Sequence, residues 1–143
     1  MAISSVEYCS AQDAAAFEPA GPTVAISIRS PDRPEVALNP AILEVLRLQF
    51  HDVLPGDGKR PDATIFSQSQ AKEVVRFITK HRRAEKDVHL LVHCESGISR
   101  SAAVAVFAAS ECEKPLAGRI AFLNTWVLKT LVDTAYPQNE FGV

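Results

Sequence analysis

This chain lacks the features that mark several large classes of protein. It has only three cysteines, an odd number without regular spacing, so a disulfide framework is excluded and reduced thiols are expected. No apolar run approaches the roughly 20 residues of a membrane span. The segment from Met1 to Phe17 lacks the basic start and apolar centre of a signal peptide. We therefore expect a cytoplasmic protein that does not enter a membrane.

An excess of basic residues is also missing. Lysine and arginine number 15 against 17 acidic residues, a net charge of −2, so nucleic acid is not expected as a partner. Internal repeats and low-complexity tracts are absent. With 143 residues, 47% hydrophobic and 22% charged, the chain has the composition of one globular domain spanning residues 1–143, which we expect to be a monomer.

Short β-type runs alternate with helical runs, which predicts an α/β fold. We expect a central, mainly parallel sheet of four to five strands, flanked by helices in a three-layer arrangement. The strands are predicted at Ser5–Cys9, Thr23–Ile28, Val45–Phe50 and Val88–His93. The last run is almost continuously apolar, as is typical of the centre of a parallel sheet.

The helices are indicated by caps and apolar stripes. Ser67 and Gln70 have the spacing of a capping box before an apolar stripe, and an exposed loop rich in glycine and proline precedes them. A second helix, from about Ser99 to Cys112, is apolar almost all round and should be buried. Two more are predicted at Leu116–Leu123 and Thr125–Ala135, followed by an irregular tail.

The most informative segment is His-Cys-Glu-Ser-Gly-Ile-Ser-Arg-Ser at positions 93–101. It lies where a strand becomes a helix, so loop N–H groups and the helix dipole should converge on one point and bind an anion. Gly97 permits the positive dihedral that so tight a ring requires. The residues expected to surround a bound phosphate are Glu95, Ser96, Gly97, Ile98, Ser99 and Arg100.

The side chains of this segment suggest hydrolysis of a phosphate ester by cysteine. A free cysteine has a pKa near ~8.5, and a helix N-terminus with nearby cations lowers it to roughly 3.5–7.5, so Cys94 should be a thiolate nucleophile. The planar fork of Arg100 suits two phosphoryl oxygens. The Ser101 hydroxyl can stabilise the sulfur as a leaving group. His93 should face away from the phosphate and bond backbone near the loop.

The pattern His93-Cys94-x-x-Gly97-x-x-Arg100-Ser101 resembles the active-site signature of the cysteine-dependent protein tyrosine phosphatases. The short length is similar to their compact dual-specificity-like branch, which includes small bacterial tyrosine phosphatase-like proteins. The resemblance implies a phosphocysteine intermediate, no metal or other cofactor, and a phosphorylated protein or small aryl phosphate as substrate. It also implies a general-acid aspartate on a separate loop.

The leaving oxygen needs a proton, so a carboxylic acid should lie within hydrogen-bond reach of it. The resemblance implies that this aspartate comes just after a strand and upstream of the helix that precedes the signature. Asp52 follows the predicted strand ending at Phe50 and is the first choice. Asp57, in the glycine-flanked loop, is the alternative, and Asp62 ranks third. Asn124 matches an asparagine of related small phosphatases that would brace the phosphate loop, although it is also a typical helix cap.

Other chemistries fit the same residues less well. A metal site at His89, His93 and Cys94 would split its ligands between strand faces, and no second cluster has zinc spacing. A sulfurtransferase also carries a reactive cysteine in such a loop, and arsenate reduction would need further redox cysteines. A non-catalytic phosphate-binding module is the remaining alternative. Cys9 and Cys112 are interpreted as small core residues.

Overall fold

The computed structural model describes residues 3–58, 60–116 and 120–137. Its strands and helices follow one another in the order expected for an α/β fold. They are β1 (Ile3–Cys9), α1 (Ala11–Ala16), β2 (Thr23–Arg29), β3 (Glu44–Gln49), α2 (Gln68–Arg83), β4 (Val88–His93), α3 (Arg100–Cys112) and α4 (Thr125–Ala135). No helix in these ranges is long and apolar enough to cross a membrane.

The described strands form one sheet in the order β1-β4-β2-β3, and every pair in it is parallel. The prediction of a parallel sheet is confirmed, and it has four strands. β4 is paired on both sides, which explains its continuous apolar run. Because all strands point the same way, their carboxyl ends lie along one edge of the sheet.

Both faces of the sheet are covered, as the three-layer prediction requires. Successive strand residues alternate between two apolar clusters: Leu90 and Val92 join the larger one, and Leu91 joins the smaller. α3 packs on β1 and β4, α2 packs on β3, and α4 packs against both helices. The short α1 packs on β4, and Phe17, just after it, joins the smaller cluster.

Most boundaries lie within two residues of the predictions. The Ser67–Gln70 capping box is present, with the Ser67 hydroxyl accepting the Gln70 N–H at 3.1 Å and the Gln70 side chain accepting the Ser67 N–H at 3.1 Å. α4 has the predicted bounds. α1 was not predicted, although its start is capped by the Ser10 hydroxyl, which accepts the Asp13 N–H at 3.1 Å.

The helix predicted over Leu116–Leu123 is wrong. Leu116 instead makes an isolated parallel bridge with Val6, and residues 120–123 have no regular secondary structure. Residues 117–119 lie outside the described residues, as does the tail from residue 138. Leu116 and Leu123 pack against the main core, so tertiary burial rather than helical periodicity accounts for these apolar residues.

Candidate active site

Three chemically important positions meet at the carboxyl edge of the sheet. Cys94 directly follows β4, Ser30 directly follows β2, and Asp52 lies three residues beyond the end of β3. The ends of neighbouring parallel strands are adjacent in space, so residues far apart in the sequence surround one point. The 93–101 segment forms the strand–loop–helix unit expected from the sequence, with α3 beginning at Arg100.

The Cys94 side chain lies at the base of the phosphate loop, which we define as residues 94–100, and only 1% of the residue is exposed. Its Sγ accepts the Gly97 N–H at 3.3 Å and lies 3.1 Å from the Ser101 Oγ. The Cys94 N–H donates to the Cys9 carbonyl at 3.3 Å, which fixes the start of the loop on β1. Two polar groups therefore contact the sulfur, and both can stabilise an anion there.

Five other backbone N–H groups of the loop have no acceptor among the residues that the structure describes. Those of residues 95, 96, 98, 99 and 100 donate to no other residue in the described part of the chain. The side chains of Ser96 and Ile98 point outward and are exposed. A loop with this many free N–H groups at the start of a buried helix is suited to bind an oxyanion.

Gly97 is required by both backbone conformation and space. Its φ of +74° lies in the left-handed region, as the sequence predicted. A Cβ at this position would lie 2.4 Å from the Ser10 backbone nitrogen and 2.6 Å from the Cys9 carbonyl carbon. The loop therefore sits against the turn between β1 and α1, which leaves no room for a larger residue.

We expect Gly97→Ala to lower both stability and activity. A left-handed alanine costs about 1–2 kcal/mol, and the overlap with the Cys9–Ser10 backbone adds to this. Gly56→Ala is the matched control, because Gly56 has a φ of +78° but a Cβ added there would meet nothing within 4 Å. Urea unfolding measures the free energy of unfolding of both variants. Equal losses for the two would contradict the close packing described for Gly97.

Arg100 is held beneath the loop with 4% of its surface exposed. Its Nη1 donates to the Phe50 carbonyl at 2.7 Å and to the Ser30 Oγ at 3.0 Å, and its Nη2 donates to Glu95 Oε1 at 3.0 Å. Its Nε is buried and has no hydrogen-bond partner among the described residues. A buried guanidinium nitrogen without a partner is unusual, and an oxyanion bound in the loop would satisfy it.

The Glu95 carboxylate points inward, toward the arginine. It accepts the Ser30 N–H at 3.1 Å and the Ser30 hydroxyl at 3.2 Å, and it lies 3.7 Å from Arg33 Nε. Burial raises the pKa of Glu95, but hydrogen bonds from Ser30 and Arg100 outweigh it and bring that pKa below its usual value. The side chain is thus an anion bound to Arg100 and Ser30.

His93 is completely buried and stabilises the backbone at the start of the loop. Its Nδ1 lies 3.2 Å from the Cys94 carbonyl, and its Nε2 lies 2.6 Å from the Ser27 Oγ, which also accepts from Arg47 at 3.2 Å. Burial lowers the pKa of His93, and the Arg47 charge adds to this effect. The neutral ring therefore donates from Nδ1 to Cys94 and accepts the Ser27 hydroxyl proton at Nε2.

Asp52 is anchored to the phosphate loop and to α4. Its Oδ1 accepts the Ser99 hydroxyl at 3.0 Å and the Asn124 Nδ2 at 2.9 Å. Asn124 also donates its backbone N–H to the Ser99 carbonyl at 3.1 Å and accepts the Val127 N–H at 3.0 Å. Asn124 is therefore both the cap of α4 and the connection between the Asp52 segment and the phosphate loop.

Asp57 lies near Asp52 but is engaged differently. Both line a cavity of about 310 Å³, together with Ser99 and the apolar side chains of Phe122 and Leu123. The Asp57 carboxylate accepts the Leu54 N–H at 3.3 Å within its own turn. Asp52 is thus the carboxylate tied directly to the loop that carries Cys94. Asp62 does not line this cavity.

The other two cysteines have raised pKa values. Burial, followed by the nearby charges of Glu7, Asp13 and Cys94, raises the pKa of Cys9 to about 12. Burial also raises the pKa of Cys112. Both remain neutral thiols near pH 7, so neither is suited to act as a nucleophile.

Two histidines outside the 93–101 segment have partners away from Cys94. His51 accepts the Thr64 N–H at Nδ1 and lies 3.4 Å from Asp32 through Nε2, and His89 contacts Glu7 at 2.6 Å. Across residues 3–58, 60–116 and 120–137, no three histidine, cysteine or acidic side chains are grouped to hold a metal ion.

Sequence reasoning missed the residues that orient Arg100, namely Ser30, the Phe50 carbonyl and the Glu95 side chain. A signal was available for Ser30, because it directly follows a strand of a parallel sheet, as Cys94 does. The Glu95 contact depends on the fold of the loop and has no pattern in the sequence. Ser27 and Arg47, which support His93, were also missed.

In comparisons with known proteins, no family model matches this chain, and no curated protein resembles it closely enough to count as a relative. Its function is therefore inferred from the geometry of the chain itself.

Proposed function

We propose that this chain is a phosphoric monoester hydrolase that removes phosphate from phosphotyrosine through a phosphocysteine intermediate. The observation that supports the proposal is that a buried thiol and a buried guanidinium share one loop. Within the described part of the chain, the guanidinium Nε and several N–H groups of this loop have no partner. Such an arrangement favours a tetrahedral oxyanion directly above the sulfur.

In the first step the Cys94 thiolate attacks phosphorus. An S–P bond forms while the P–O bond to the leaving group breaks, and Asp52 donates its proton to the departing oxygen. Loop N–H groups and Arg100 stabilise the negative charge on the three equatorial oxygens. Asp52 suits this role because its Oδ1 is anchored by Ser99 and Asn124, which leaves Oδ2 to carry the proton.

In the second step water attacks the phosphocysteine. A P–O bond forms, the P–S bond breaks, and the Asp52 carboxylate accepts the proton of the water. The electron pair returns to sulfur, where the Ser101 hydroxyl at 3.1 Å and the Gly97 N–H at 3.3 Å stabilise the thiolate. Inorganic phosphate leaves, and the enzyme returns to its starting state with a thiolate at Cys94 and a proton on Asp52, so the cycle consumes only the ester and water.

The cavity beside Asp52 favours an aromatic leaving group. Its volume is about 310 Å³, and its wall carries Phe122 and Leu123 next to the carboxylate that protonates the leaving oxygen. Phe122 is 68% exposed, so an apolar ring placed there would cover it. We therefore propose a phosphotyrosyl protein or a small aryl phosphate as the substrate, with phosphoserine and phosphothreonine as poorer ones. The reaction requires a reduced thiol, which fits a cytoplasmic location.

The test is hydrolysis of p-nitrophenyl phosphate and of a phosphotyrosyl peptide by the purified chain in EDTA. We expect turnover of both, with a phosphoryl group on Cys94 found by mass spectrometry after acid quenching. A parallel assay supplies thiosulfate and cyanide. Thiocyanate formation without ester hydrolysis would make the protein a sulfurtransferase. Binding of the phosphopeptide without any turnover would make it a non-catalytic recognition module.

A further inference from the structure

Glu95 has an unexpected location for an anionic side chain, because it lies within a loop built to bind another anion. Its carboxylate has contacts on both oxygens. Oε1 accepts from Arg100 Nη2 at 3.0 Å and from the Ser30 hydroxyl at 3.2 Å, and Oε2 accepts the Ser30 N–H at 3.1 Å. A carboxylate with these fixed partners cannot swing into the phosphate site without breaking all of them.

The contacts made by Arg100 show what this arrangement achieves. Nη1 donates to Ser30 and Phe50, so both of its hydrogens are used, and Nη2 gives one hydrogen to Glu95. The N–H on Nε remains without a partner among the described residues, and Nη2 has a second hydrogen. Nε and Nη2 lie on the same edge of the planar guanidinium, so this edge can hold two phosphoryl oxygens side by side.

We propose that Glu95, supported by Ser30, is a positioning residue that orients Arg100 so that its Nε–Nη2 edge faces the oxyanion. This inference rests on the proposed function, since it concerns the phosphate clamp of the same site. In this role the Glu95 side chain contacts neither the substrate nor the sulfur and acts through Arg100, while the Glu95 backbone belongs to the loop itself. The negative charge of Glu95 also offsets part of the positive charge of Arg100, which weakens the attraction of Arg100 for an anion. Glu95 therefore contributes by orienting the guanidinium and not by adding charge.

The first readout is the separation of kcat from KM. We expect Glu95→Ala to lower kcat for p-nitrophenyl phosphate by about 10–100-fold, because a small misplacement of a clamping group is costly in the transition state. KM should change by less than about threefold. Glu95→Gln should keep kcat within about fivefold of the wild type, since its amide oxygen still accepts from Nη2. If Glu95→Gln falls as far as Glu95→Ala, the orienting hydrogen bond is not the cause and the inference is wrong.

The matched control is Arg33→Ala. Arg33 is the other arginine near Glu95, at 3.7 Å, but its side chain is 64% exposed and does not contact Arg100. We expect its kcat to stay within about twofold of the wild type, as for an exposed ion pair. A loss as large as that of Glu95→Ala would show that Glu95 acts through Arg33 and would overturn the assignment to Arg100.

The second readout requires no turnover. Orthovanadate, which takes the five-coordinate geometry of the transition state when a thiolate adds to it, is titrated calorimetrically into the wild type and into Glu95→Ala, and the variant should bind it at least about tenfold more weakly. Unchanged vanadate affinity would refute the positioning role. If the wild type binds vanadate but hydrolyses no ester, the proposed function fails while the positioning of Arg100 is still decided by this comparison. A fall in Tm shared by the Ala and Gln variants, without a difference in vanadate affinity, would indicate a purely structural role.

Discussion

Replacing Cys94 with serine is expected to abolish hydrolysis of p-nitrophenyl phosphate while leaving phosphate-ester binding intact. The serine hydroxyl is far less ionised than a thiol at neutral pH and cannot form the phosphoenzyme at a useful rate. Losses of this kind exceed about 10⁴-fold when a nucleophile is removed. The loop N–H groups and Arg100 remain in place, so a phosphotyrosyl peptide should bind Cys94→Ser at least as tightly as the wild type.

Two measurements separate this outcome from unfolding. Isothermal titration calorimetry with the phosphotyrosyl peptide shows whether the binding site survives in Cys94→Ser. Cys112→Ser is the matched control, because Cys112 is a partly buried thiol in the last turn of α3, away from the loop. We expect that variant to keep full activity. Full activity in Cys94→Ser would end the proposed mechanism, whatever the peptide affinity.

The local parts of the fold were predictable because their signals lie within a few residues of each other. The capping box at Ser67 and the apolar run of β4 each depend on adjacent positions. The same is true of the phosphate loop, where the positive φ of Gly97 follows from the need to bring N–H groups toward Cys94. In these cases local preference and tertiary structure agree.

The sequence could not show the contacts that connect separate strands. Arg100 was predicted to be a phosphate clamp, but its partners Ser30 and Phe50 precede it by 70 and 50 residues and come from the ends of β2 and β3. Leu116 has an apolar side chain that suits a helix, yet pairing with Val6 determines its conformation. Asn124 was assigned as either a cap or a brace, and the structure shows contacts of both kinds.

The second prediction with a large effect concerns the proton donor. We expect Asp52→Ala to lower kcat/KM for a phosphate ester with a poor leaving group, such as phenyl phosphate, by about 10²–10⁴-fold. The loss should be smaller for p-nitrophenyl phosphate, whose leaving group departs without a proton. Loss of a general acid slows the reaction most where the leaving oxygen is most basic, so the difference between the two esters identifies proton donation. Equal losses with the two esters would contradict the role of Asp52 as the acid.

Asp52 also contributes a negative charge to the cavity and hydrogen bonds to Ser99 and Asn124. Two further variants, Asp57→Ala and Asp52→Asn, separate proton donation from these contributions. Asp57 lines the same cavity, so its removal reproduces the change in cavity charge, and we expect it to cause a much smaller loss with phenyl phosphate than Asp52→Ala. Asp52→Asn keeps an oxygen that can accept from Ser99 and Asn124, so the phosphate loop stays braced while no proton can be donated. We expect Asp52→Asn to be as slow as Asp52→Ala with the poor leaving group. If Asp57→Ala instead shows the large loss that is confined to the poor leaving group, Asp57 is the acid and the anchored carboxylate of Asp52 serves only to fix Ser99 to α4.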